Sequence, residues 1–61
     1  MQEMKRAIEF AREFVKEHPN LKDEVNDLLE LCYNEIEEGG SPTHEVELCI
    51  GSIKELLEEE N

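Results

Sequence analysis

Glu38-Gly39-Gly40-Ser41-Pro42-Thr43-His44-Glu45 decides the fold of this 61-residue chain. Gly39-Gly40 supplies the left-handed residue that ends a helix. Ser41-Pro42 then restarts the chain as an N-cap followed by a proline at the first helical position. Upstream of this break, Leu21, Val25, Leu28, Leu29, Cys32 and Ile36 recur at helical spacing with Tyr33 on one flank, which predicts a helix over about residues 21–38. Downstream, Val46, Cys49, Ile50, Ile53, Leu56 and Leu57 predict another over about 42–59.

A second break lies at His18-Pro19, where the proline and its restriction on the preceding residue stop a helix. Asn20 is the expected N-cap of the helix that follows, with Asp23 in its first turn, where carboxylates meet free amides. Ahead of the break, Met1, Met4, Ala7, Ile8, Ala11, Phe14 and Val15 share one helical face with Phe10 at its margin, so the first helix is expected over about 2–17. Three helices joined by short loops pack as sequential antiparallel neighbours. The expected fold is therefore all-α, a compact antiparallel three-helix bundle forming a single domain over residues 1–61. Summed residue numbers across the second loop place Cys32 level with Cys49 in its core.

Composition narrows the function. The formal net charge is −11, and no tryptophan accompanies the single tyrosine and two phenylalanines. Phosphate backbones repel such a chain and base stacking has little material, so direct nucleic-acid binding is not expected. Acidic surfaces suit basic partners. No stretch approaches the roughly 20 apolar residues of a membrane span, and no apolar leader opens the chain, which points to the cytoplasm. The two cysteines, without a CxxC pair, suit a reducing compartment.

No cofactor, metal or enzymatic activity is expected. Cys32 and Cys49 read either as small buried hydrophobes or as a disulfide, should their Cα atoms approach within about 7 Å. Zinc wants four ligands, and His44 points about 140° away from Cys49 on the helical wheel. Neither His18 nor His44 has a nucleophile beside it from which a triad could be built. Glu58-Glu59-Glu60 lacks the alternating ligands and central glycine of a calcium loop.

The charge is unevenly placed. Residues 1–18 carry four bases and four acids, with Lys5–Glu9 and Glu9–Arg12 as expected ion pairs, whereas residues 19–61 carry two bases and thirteen acids. Asp23, Asp27, Glu30, Glu37 and Glu38 project outward from the second helix, and Glu45, Glu55, Glu58 and Glu59 from the third. Acids three to seven residues apart on a helix stand roughly 5–10 Å apart, comparable to backbone phosphates. An ordinary solubilising surface would give the same pattern, but like-charge repulsion confined to one hairpin of a small domain favours a binding face.

Leu31 and Leu48 fall outside the apolar stripes of their helices at the same level of the hairpin. They project either into one shared outer groove, away from the first helix, or to opposite flanks, according to the handedness of the bundle. A shared groove would make an apolar anchor with a charged rim. The expected partner-binding residues are Asp23, Asp27, Glu30, Leu31, Glu37, Glu38, Glu45, Leu48, Glu55 and Glu59. Gly51, unfavourable within a helix, reads as tolerated or as a point of close approach for another chain.

The segment Glu37-Glu38-Gly39-Gly40-Ser41-Pro42-Thr43-His44-Glu45-Val46-Glu47-Leu48-Cys49-Ile50, with the hairpin around it over residues 20–61, resembles small acidic helical proteins of tailed bacteriophages. Such proteins often bind and inhibit host machinery, some by imitating the charge of DNA. That resemblance implies a host-cytoplasmic inhibitor whose basic partner handles nucleic acid. The alternative expectation is a self-associating structural or regulatory helical module, a homodimer built on Leu31 and Leu48.

Overall fold

The computed structural model describes residues 2–60, and the side chains of residues 3–59. Three helices form an antiparallel bundle: α1 over Gln2–Glu17, α2 over Lys22–Glu37 and α3 over Pro42–Glu60. The long dimension of the molecule is 34 Å against 18 and 15 Å across it. A helix of the length of α3 runs to about 28 Å, so the bundle is little longer than its longest helix.

Both predicted breaks are present, and they are built differently. At the second, Gly39 has φ 106°. Its N–H donates to Ile36 O at 3.1 Å and that of Gly40 to Glu35 O at 2.9 Å, the paired bonds of a Schellman turn. The N–H of Glu45 donates to Ser41 O at 2.9 Å and opens α3.

At the first break, Pro19–Leu21 forms a 3-10 turn, and α2 begins one residue later than expected, with Leu21 in the cap position and no side-chain cap. Asn20 is therefore not the N-cap. A proline at the start of a tight three-residue turn carries the chain directly into α2, and Leu21, in the cap position, is buried.

The core consists of Met4, Ala7, Ala11 and Phe14 from α1, Leu21, Val25 and Cys32 around α2, and Val46, Cys49, Ile50 and Ile53 from α3. Ile53, Val25 and Val46 are its largest fully buried side chains. Phe10, Val15, Leu28, Leu29, Ile36 and Leu56 pack half-buried against it. Ile8 and Leu57, assigned to the inner faces by periodicity, are instead exposed at 41% and 37%. Met1, assigned to the same face as Ile8, lies outside the described residues.

α3 packs closely against both other helices, whereas α1 and α2 meet each other less closely. Polar ties across the bundle also converge on α3. Arg6 pairs with Glu47, and the Lys54 ammonium sits 5.7 Å from the centre of the Phe10 ring. Within α1 the ion pair that forms is Glu13–Lys16 at 3.7 Å, in place of the expected Lys5–Glu9 and Glu9–Arg12. Such exposed pairs contribute little, so the exchange leaves the fold unaffected.

Candidate protein-interaction site

The hairpin of α2 and α3 brings Leu31 and Leu48 into one groove of about 120 Å³, and so selects the shared-groove arrangement over opposite flanks. Both leucines are more than half exposed, at 59% and 52%. Leu28, Cys32 and Cys49 line the groove with them, Glu35 and Glu45 supply its charge, and no described α1 residue contributes. Gly40 leaves no room for a side chain at the turn: a Cβ there would meet the Glu35 backbone carbonyl at 2.9 Å and Glu45 Cγ at 3.2 Å.

A second concavity of about 390 Å³ continues along the same pair of helices, sharing Leu28 and Ser52 with the first. Its acids are Glu24 and Asp27 from α2 and Glu55 and Glu59 from α3. The two form one seam, at whose edge Asp27, Glu30, Leu31 and Asn34 line a further depression on α2. Among the described residues, every charged one lining these three concavities is an acid.

Of the ten expected partner-binding residues, the seam and its edge bring together Asp27, Glu30, Leu31, Glu45, Leu48, Glu55 and Glu59. Asp23, Glu37 and Glu38 are exposed but line none of these concavities. Glu38 is instead the C-cap of α2, its N–H donating to the Asn34 carbonyl at 3.0 Å. Glu37 accepts a hydrogen bond from the Tyr33 hydroxyl, which holds the phenol proton and raises that pKa. Glu24 and Glu35 take their places in the seam. The distinction was within reach of the helical wheel: Glu24 and Glu35 lie four residues from Leu28 and Leu31, respectively, on the side turned toward α3.

The cysteines are neighbours, as the hairpin register requires, and both are free thiols. Cys32 Sγ lies 3.6 Å from Met4 Sδ, and Cys49 Sγ lies 3.6 Å from the Leu28 carbonyl to which it donates. Burial, with the adjacent Cys32, pushes the Cys49 thiol up to about 11, and burial is also the largest influence raising Cys32. Neither thiol is an activated nucleophile at neutral pH, since the thiolate is the reactive form. They serve as small apolar floor for the seam.

Among the described residues no three histidine, cysteine or acidic side chains gather in a metal-binding cluster, and no helix is long and apolar enough to cross a membrane. Comparisons of the chain with protein-family models, with curated proteins and with solved structures gave no match.

Proposed function

We propose that the chain is a small acidic interaction module that binds a basic protein surface through the α2/α3 seam, as an inhibitor or DNA mimic of a nucleic-acid-handling protein in a host cytoplasm. The observation that supports this most directly is the pairing of two exposed leucines with a charged lining of carboxylates only. Apolar anchors within a charged rim are the composition of protein interfaces, where the anchor supplies affinity and the rim supplies partner choice and association rate. The acids of the seam stand on two rigid helices, so their spacing is fixed before a partner arrives. The bacteriophage resemblance of the hairpin agrees with an inhibitory role.

Titration with a short Lys/Arg-rich amphipathic helical peptide, followed by NMR, tests it. Shifts are expected along Leu28, Leu31, Leu48 and Ser52, and affinity is expected to fall at least about tenfold between about 50 mM and 500 mM salt. Reversing Asp27 and Glu55 to lysine is expected to weaken binding more than reversing Glu3 and Glu9. Binding that is indifferent to salt, or equally weakened by both pairs, would remove the electrostatic mechanism.

A self-associating module is the second reading, favoured by the exposure of Leu31 and Leu48. The net charge of −11 on each copy opposes it. Sedimentation at high protein concentration in high salt decides: a monomer there rules out this alternative.

A further inference from the structure

The junction of α1 and α2 holds a second surface, unlike the first in charge. Because these two helices meet less closely than either meets α3, a groove of about 340 Å³ opens between them. Ile8, Ala11, Val15 and Leu29 line its apolar part, and Ile8 is 41% exposed there. Among the described residues, its charged lining is Arg12, Lys16 and Lys22, with no acid. The chain has seventeen acids and six bases, so half of its cations converge on this one groove. Lys16 also reaches Glu13 at 3.7 Å, an exposed pair of the kind that contributes little and exchanges readily. Arg6 and Lys54 face α3 and α1 instead, Arg6 beside Glu47 and Lys54 over the Phe10 ring.

We propose that this groove docks an acidic amphipathic helix of a partner protein, at a site separate from the α2/α3 seam. A trough between two antiparallel helices is shaped for a further helix, whose ridge would settle between them at ordinary helix-packing distance. Ile8 and Val15 lie two turns apart, about 10 Å along α1. They match an occupant presenting apolar anchors at i, i+3 or i+4, and i+7. Charge selects the flanks of that occupant: Arg12, Lys16 and Lys22 favour glutamates and aspartates beside the anchors and disfavour a basic helix. A second copy of the chain is a poorer occupant, since the two molecules repel through their net charge of −11 each. The domain then carries two docking faces of opposite preference.

The probe is a synthetic helical peptide with leucines at i, i+4 and i+7 flanked by glutamates, compared with the same leucines flanked by lysines. Methyl and amide shifts are expected at Ile8, Ala11, Val15 and Leu29 with the glutamate peptide. The double variant Arg12→Glu, Lys16→Glu changes exposed side chains, and a thermal melt confirms that it folds. It is expected to bind the glutamate peptide at least about tenfold more weakly, since charge reversal at a docking rim replaces attraction by repulsion. Ile8→Ser is expected to weaken binding as well, while both variants leave the basic peptide on the α2/α3 seam unaffected. That control separates failure here from failure of the seam as a binding face. Equal affinity for both leucine peptides, unchanged binding by the double variant, or shifts confined to the α2/α3 seam would overturn the proposal. Groove shifts that grow with protein concentration alone, without peptide, would overturn it in favour of a second copy.

Discussion

Both the α2/α3 seam and the α1/α2 groove set apolar side chains in a trough between antiparallel helices, yet among the described residues every charged one lining the first is an acid and every one lining the second is a base. The helices themselves do not divide this way. α2 serves both surfaces, sending Glu24, Asp27 and Glu35 to one side and Lys22 to the other. α1 carries equal numbers of acids and bases. Its arginines are sorted in space, Arg6 toward Glu47 of α3 and Arg12 toward α2. A charge asymmetry along the sequence has become an asymmetry around the bundle. In a chain this acidic, where the few cations gather carries as much information as where the many anions lie.

The two surfaces also differ in how their helices are joined, and that difference can be broken by substitution. The α2/α3 turn has no room at Gly40, since an added Cβ meets the Glu35 carbonyl at 2.9 Å. The flexible Glu45 side chain can move aside, but the carbonyl belongs to the last turn of α2 and accepts the Gly40 N–H bond. Gly40→Ala is therefore expected to destabilise the domain by about 1–3 kcal/mol, the usual cost of overpacking. NMR shift changes are expected to concentrate at Glu35, Glu45 and Leu48, leaving Ile8 and Val15 in place. A variant as stable as the parent, or one equally perturbed at the α1/α2 groove, would mean that the turn does not set the seam.

How far these surfaces could be read from the sequence follows from what a helical wheel contains. Spacing identified the two breaks and nearly all of the core, because burial on a helix repeats with the turn. It misassigned Ile8 and Leu57, whose angles on the wheel suit burial but which stay more than a third exposed. Leu31 and Leu48 were visible as outliers, but a single wheel holds no handedness, so only the packed hairpin joins them in one groove. Asp23, Glu37 and Glu38 point outward as the wheel indicates; outward does not mean toward the seam. Arg12 and Lys16, four apart beside Ile8 and Val15, were an available signal that the balanced net charge of α1 concealed.

The third glycine sharpens the comparison in the opposite direction. Gly51 lies within α3, and a Cβ added there would meet nothing within 4 Å among the described residues. No such neighbour requires its small size, so Gly51→Ala is expected to stabilise the fold by about 0.5–1 kcal/mol through the backbone freedom it removes. For a domain of this size that raises Tm by several degrees, at about 4–8 °C per kcal/mol. A drop in Tm would show that the site is closed by a neighbour. A rise in Tm accompanied by weaker binding of the basic peptide would identify Gly51 as a point of close approach for the seam's partner.

Alkaline pH gives the smallest effect, and its thiol part acts on one surface, because the thiols line the acidic seam and none lines the basic groove. Folding raises Cys49 from the ordinary thiol value of 9.0 to about 11. Between these values the folded state binds more protons than the unfolded state, so stability falls as pH rises. The contribution is fully present below pH 9 and lost through about pH 11. Cys32, also raised, acts with the same sign, as does Tyr33 above its ordinary value of 10.0. Denaturant midpoints at about pH 8 and pH 10.5 are expected to show a decline that is shallower in Cys49→Ala than in the parent chain. Lys16→Gln, on the other surface, is expected to leave the thiol-dependent part of the slope unchanged. Parallel declines in Cys49→Ala and the parent would assign the alkaline loss elsewhere and remove the thiol pair as the feature that distinguishes the floor of the seam.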